Sequence, residues 1–81
     1  MVFWIPELIW TDDNIAHIAR HQVEDYECEE ARTNATAYRK GRDERYHFVG
    51  RTDGGRWLFV VIECDGEVVT ARDATDRERR L

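Results

Sequence analysis

Hydrophobic and polar residues change their period along this chain. From Glu44 onward they alternate, in three runs: 44–50 (Glu-Arg-Tyr-His-Phe-Val-Gly), 56–64 and 67–72. Alternation of that length predicts strands, and the stretches between them predict hairpin turns. Arg51-Thr52-Asp53-Gly54-Gly55 sets adjacent glycines after an aspartate, and Asp65-Gly66 reads as a two-residue connection. Tyr46 and Phe48 share one face of their strand; Arg45, His47 and Val49 share the other. The run Trp57 to Ile62 is apolar on both faces, which predicts a central strand covered on two sides. Thr70 and Arg72 point the same way near the end of the last strand.

Before residue 44 the spacing is helical. Residues 1–6 are apolar and end in the only proline, as a flexible or edge segment would. Leu8-Ile9-Trp10 is a short strand and the natural fourth member of the sheet. Thr11 fits a helix N-cap, with Asp12 and Asp13 in the first turn, where carboxylates suit the helix dipole. Ile15, Ile18 and Ala19 form one stripe, and the helix should end near His21. Gln22-Val23 is a joint. Glu24 to Arg32 predicts a second helix with Tyr26, Cys28 and Ala31 as its few apolar positions and an acidic, solvated surface. Residues 35–42 read as a polar crossing that carries the basic run Arg39-Lys40-Gly41-Arg42. Thr75 or Asp76 can cap a last helical turn over 77–81. The expected fold is α+β, in the order β-α-α-β-β-β-α. It has a four-stranded, mainly antiparallel sheet with two N-terminal helices packed on one face.

Eighty-one residues make one domain, spanning 1–81. A chain of this size buries roughly 60% of its extended surface, so the core is small. With 36% charged residues and no apolar run near ~18 residues, no membrane span is expected. The start lacks a basic segment followed by a long apolar stretch, so no secretory signal is expected either. Cys28 and Cys64 have no metal-ligand spacing and are expected as free thiols in a reducing cytoplasm. Net charge is −5, but it is unevenly spread: residues 1–36 carry −6 and residues 37–81 carry +1. Eleven of the twelve bases are arginine, the side chain suited to two-point phosphate contacts. A GC-rich genome would produce the same bias.

Two groups of residues could do chemistry. His17 and His21 are one helical turn apart, but a zinc site needs a third ligand, and Arg20 stands between them. His21 fits better as a helix-end residue whose ring bonds neighbouring backbone. Glu44, Arg45, Tyr46 and His47 form a polar–aromatic cluster, and Arg51, Arg56 and Arg72 lie at strand ends. Guanidinium groups crowded on one sheet face repel unless acids or a polyanion lie between them. Glu44, Glu63 and Asp73 could supply an internal carboxylate lattice; alternatively the face binds phosphate. Arginines would stabilise charge on phosphorus during RNA cleavage. A His, Tyr or Glu would exchange protons with the 2′-hydroxyl and the 5′-oxygen. His47 has an ordinary pKa suited to that task. Trp10 fits the core, though an indole at a strand edge could stack a base.

The succession of motifs resembles the BrnT family of small toxins, relatives of the RelE ribonuclease fold. It runs through Ile9-Trp10-Thr11-Asp12, Ile18-Ala19-Arg20-His21-Gln22-Val23, Glu29-Glu30-Ala31 and Glu44-Arg45-Tyr46. It continues through Val49-Gly50-Arg51-Thr52, Gly55-Arg56, Leu58-Phe59-Val60-Val61, Thr70 to Thr75 and Arg77-Glu78-Arg79-Arg80. The resemblance covers nearly the whole chain from Leu8. It implies an RNA-cleaving toxin of a type II toxin–antitoxin pair, with no cofactor. The implied partner is a ribbon-helix-helix antitoxin that binds operator DNA, and a toxin–antitoxin heterotetramer is expected. The family's functional candidates fall on Arg45, Arg51, Arg56 and Arg72, and also on Trp10 and His21. Gln22 stands where the family has glycine, at a cost of up to about 1 kcal/mol should that position be left-handed.

The expected site therefore places Arg45, Arg72, His47, Glu44 and Tyr46 in catalysis and Arg51, Arg56, Trp10 and His21 on RNA. A non-catalytic protein-binding module, or a decayed toxin, on the same fold is the alternative. The two differ in geometry: an enzyme gathers its arginines in one hollow with few acids, whereas a binding module locks them to Glu44, Glu63 and Asp73.

Overall fold

The computed structural model describes residues 4–81; the first three residues of the apolar start lie outside the described residues. The chain forms α1 (Asp12–Ala19), α2 (Asp25–Thr33), β1 (Ala35–Lys40), β2 (Tyr46–Arg51), β3 (Trp57–Ile62), β4 (Val68–Asp73) and a C-terminal 3₁₀ turn (Glu78–Arg80). The four strands make one antiparallel meander in the order β1-β2-β3-β4. Both helices pack on one face of it.

The fourth strand is not the one expected. Leu8–Trp10 contributes a single parallel bridge, Ile9 to Glu67, and the polar crossing 35–40 supplies the strand. Local chemistry explains both outcomes. Pro6 offers no amide hydrogen before Leu8–Trp10, and Thr11 turns the chain into α1 immediately after it. β1 is an edge strand, paired on one side, with only Ala37 buried, so it carries no apolar alternation for a sequence to display.

Each helix is fixed by its ends. Thr11 Oγ1 accepts from the Asn14 amide, and Asn14 Oδ1 accepts from the Thr11 amide. After α1 the Gln22 amide bonds to Ala19 and the Val23 amide to Ile18, a Schellman closure with Gln22 at φ 61°. Val23 and Ile18, brought together by that closure, are both fully buried. The position is thus left-handed, and glutamine bears the strain that a glycine would avoid. α2 begins with the Glu24 amide donating to Glu27 Oε1.

The hairpins follow their glycines. The β3–β4 connection is a three-residue loop, not two: the Gly66 amide bonds to the Glu63 carbonyl and Gly66 sits at φ 102°. The β2–β3 loop repeats the pattern, with Gly55 at φ 95°. The β1–β2 loop has no such residue. Asp43 and Glu44 both adopt positive φ there, so Glu44 lies in the turn and not in a strand.

The core lies between the helices and the face that carries Phe48, Leu58, Val60, Ile62 and Ala71. At Gly50 the sheet meets α2 without a side chain between them; a Cβ there would come within 1.9 Å of the Ala31 carbonyl oxygen. Cys28 is buried in this core, and burial pushes its thiol up to about 12, whereas Cys64 is exposed; both are free. The opposite face carries Ala37, Val49, His47, Phe59 and Arg72. The C-terminal turn lies over it, against β2. No helix among the described residues is long and apolar enough to cross a membrane.

Candidate active site

The face of the sheet away from the helices gathers most of the basic residues. Antiparallel register sets Arg39 beside His47, Val49 beside Phe59, and Phe59 beside Arg72. Phe59 on β3 is flanked from both neighbouring strands. The His47 ring stacks on it at 4.8 Å between centroids, and the Arg72 guanidinium lies 4.5 Å from its centre.

Arg72 is oriented by a fork. Its Nη1 and Nη2 donate to Glu78 Oε1 and Oε2, each at 2.8 Å. Those bonds, together with the Thr75 amide and hydroxyl, hold the Glu78 carboxyl down at about 2. His47 has its pKa lowered, first by burial and then by Arg39, with Glu78 opposing. Its ring makes no hydrogen bond among the described residues. A hollow of about 230 Å³ opens beside it, lined by Arg42, Asp43, Arg45, His47, Phe59 and Val61 among others, so one carboxylate lies among its arginines.

The other expected residues divide. Arg45 shares this face and pairs with Glu63 at 3.0 Å. Arg51 also shares it, 5.9 Å from the Trp57 ring centre. Glu44 is an exposed turn residue paired with Lys40. The Tyr46 ring stacks on Tyr38 at 5.5 Å and packs toward the core, on the side of the sheet opposite His47. Arg56 reaches into the helix layer, donating to Asp73, Glu27 and the carbonyls of His21 and Gln22. Trp10 packs on the core and donates its indole N–H to Glu29. His21 follows the C-cap of α1, its ring edge-on to His17 and bonded to no backbone among the described residues. Arg56, Trp10 and His21 therefore lie apart from the His47–Arg72 pair, and the Tyr46 ring is turned to the other side of the sheet.

Part of the acidic surface of α2 is structural rather than solvated. Glu27 holds Arg56, Glu29 holds Trp10, and Glu30 accepts from the Asp53 amide. His17 Nε2 lies 3.2 Å from Thr70 Oγ1. No three His, Cys, Asp or Glu side chains among the described residues gather as metal ligands.

Sequence reasoning did not place Arg39, Trp57, Glu78, Arg79 or Arg80 in the site. Arg39 was hidden by reading β1 as a crossing. Trp57 and Phe59 could have been assigned to this face by carrying alternation across from His47. Nothing in the spacing shows that the segment after β4 folds back over the sheet to bring Glu78 to Arg72. Comparisons of the chain with models of protein families, with curated proteins and with solved structures find no match.

Proposed function

We propose that the chain is a metal-independent endoribonuclease with a RelE-like fold, acting as the toxin of a type II toxin–antitoxin pair. The observation that carries this reading is the juxtaposition of His47 and Arg72 across Phe59 on an arginine-rich sheet face. His47, neutral near pH 7, takes the proton of a 2′-hydroxyl as that oxygen attacks phosphorus. The P–O5′ bond breaks, the 5′-oxygen receives the proton back from His47, and a 2′,3′-cyclic phosphate remains. Arg72 neutralises charge on the non-bridging oxygens, and Glu78 fixes its plane. Arg45 and Arg51 would hold flanking phosphates. A ribbon-helix-helix antitoxin fits as the partner that covers this face, within a heterotetramer.

A second reading, a non-catalytic protein-binding module, is favoured by the ion pairing. Arg45 is held by Glu63, Arg56 by Asp73 and Glu27, and Arg72 by Glu78. Each carboxylate offsets charge that a phosphate would otherwise meet.

Induced expression of the wild type beside Arg72→Ala separates the two. The toxin reading expects the wild type to arrest growth and the variant to restore it. It also expects purified variant to cleave RNA in chelator about 10²–10³-fold more slowly. Equal growth of both cultures at matched protein levels favours the binding module.

A further inference from the structure

At the other end of the same face a second hollow, of about 410 Å³, opens between Trp57 and the C-terminal turn, lined also by Asp76, Arg79 and Arg80. Its size falls in the range of small-molecule sites, roughly 300–1,000 Å³. Two guanidinium groups approach the half-buried Trp57 indole, Arg79 at 5.5 Å and Arg51 at 5.9 Å from its centre. These arginines differ from Arg45 and Arg72. Among the described residues neither Arg51 nor Arg80 has a carboxylate within 4.0 Å, and Arg79 has only the exposed Asp76 at 3.6 Å. Ion pairs hold Arg45 and Arg72, whereas Arg51 and Arg80 at this end of the face, like Arg39 and Arg42 near His47, have no carboxylate partner among the described residues.

We infer that this hollow is a binding subsite for a nucleotide of single-stranded nucleic acid, with phosphate between Arg79 and Arg80 and the base against Trp57. An aromatic ring beside arginines that are at most weakly paired suits a ligand that carries both a π-face and a negative charge. The inference rests on reading the face as RNA-facing. It adds where the strand is gripped, away from the His47–Arg72 pair.

The test is binding of a fluorescein-labelled 2′-O-methyl octauridylate, which cannot be cleaved, followed by anisotropy across a salt series. Wild type should bind. Arg79→Ala/Arg80→Ala should weaken binding at least tenfold and reduce the slope of log K against log salt by about 0.7, the release expected for one phosphate contact on a single strand. Its thermal midpoint should hold, because both side chains are exposed. Trp57→Leu should weaken binding about tenfold, and a folded Trp57→Leu protein that binds like wild type overturns the stacking contact. Should that variant not fold, the arginine pair decides alone. Equal binding by wild type and the arginine variant overturns the subsite, as does a wild type that does not bind. So does an arginine variant that loses a protein partner but keeps the oligonucleotide. Failure of the cleavage reading is distinct: RNA would then survive intact although the arginine-dependent binding is present. Conversely, RNA cleaved with unchanged KM by the arginine variant removes the subsite and leaves the ribonuclease.

Discussion

His47 stands on a strand position that alternation assigns to the sheet face away from Phe48, and the structure places it there. Its environment was not legible. The partial burial and the Arg39 charge that lower its pKa come from a strand the sequence disguised as a polar crossing. The sign of the effect is definite. A lowered pKa keeps the ring neutral above its ordinary value near 6.5 and moves protonation to lower pH. If His47 is the base, the acidic limb of kcat/KM for RNA cleavage should be centred below pH 6.5. His47→Gln should abolish that acidic limb along with most of the rate, by about 10²–10⁴-fold. A limb centred above 6.5 would assign the titrating group elsewhere. Glu44 and Tyr46 show the opposite lesson. Within three residues of the candidate base, they are carried away from it, one by a left-handed turn and the other by the pleat.

Among the elements, both helices were legible because their caps and stripes are local. β2, β3 and β4 were legible as well, although burial alternates strictly only along β3: β2 buries Phe48, Val49 and Gly50 in succession, and β4 is bulged. β1 and the C-terminal segment were not legible, because their partners are distant in sequence. The C-terminal turn is clasped by Arg72 and Glu78, and the pH dependence of the clasp follows from the depressed carboxyl. Glu78 lies below its unfolded value near 4.5, so its contribution is complete above pH 4.5 and is lost as pH falls toward 2. With Arg72 41% exposed, solvent screening limits that contribution to about 1–2 kcal/mol. Comparing unfolding free energies of wild type and Glu78→Gln should show this gap at pH 7, closing by about pH 2. The approach of α2 to β2 is rigid by comparison. Gly50→Ala must displace the Ala31 carbonyl and should lower stability by about 1–3 kcal/mol in urea titrations. An unchanged midpoint would mean that α2 shifts freely.

For the molecule as a whole, Arg56 is the fastener. One guanidinium joins the close of α1, the first turn of α2 and the end of β4. Its residue type and strand-end position suggested a phosphate contact. Only the tertiary fold reveals two backbone carbonyls waiting for it. Arg56→Ala should cost about 2–4 kcal/mol, since it strands the largely buried Glu27, and Arg56→Lys should recover less than half. Loss of RNA cleavage without loss of folding in Arg56→Ala would return this residue to the site.

Residues 1–36, which hold both helices, carry −6, and residues 37–81, which hold the strands β2 to β4, carry +1, so a net charge of −5 conceals an uneven body. Such a body behaves like a compass needle near a polyanion. On the RNA-binding reading it would be turned to arrive sheet first, and only while the Debye length, about 8 Å at physiological salt, spans the gap.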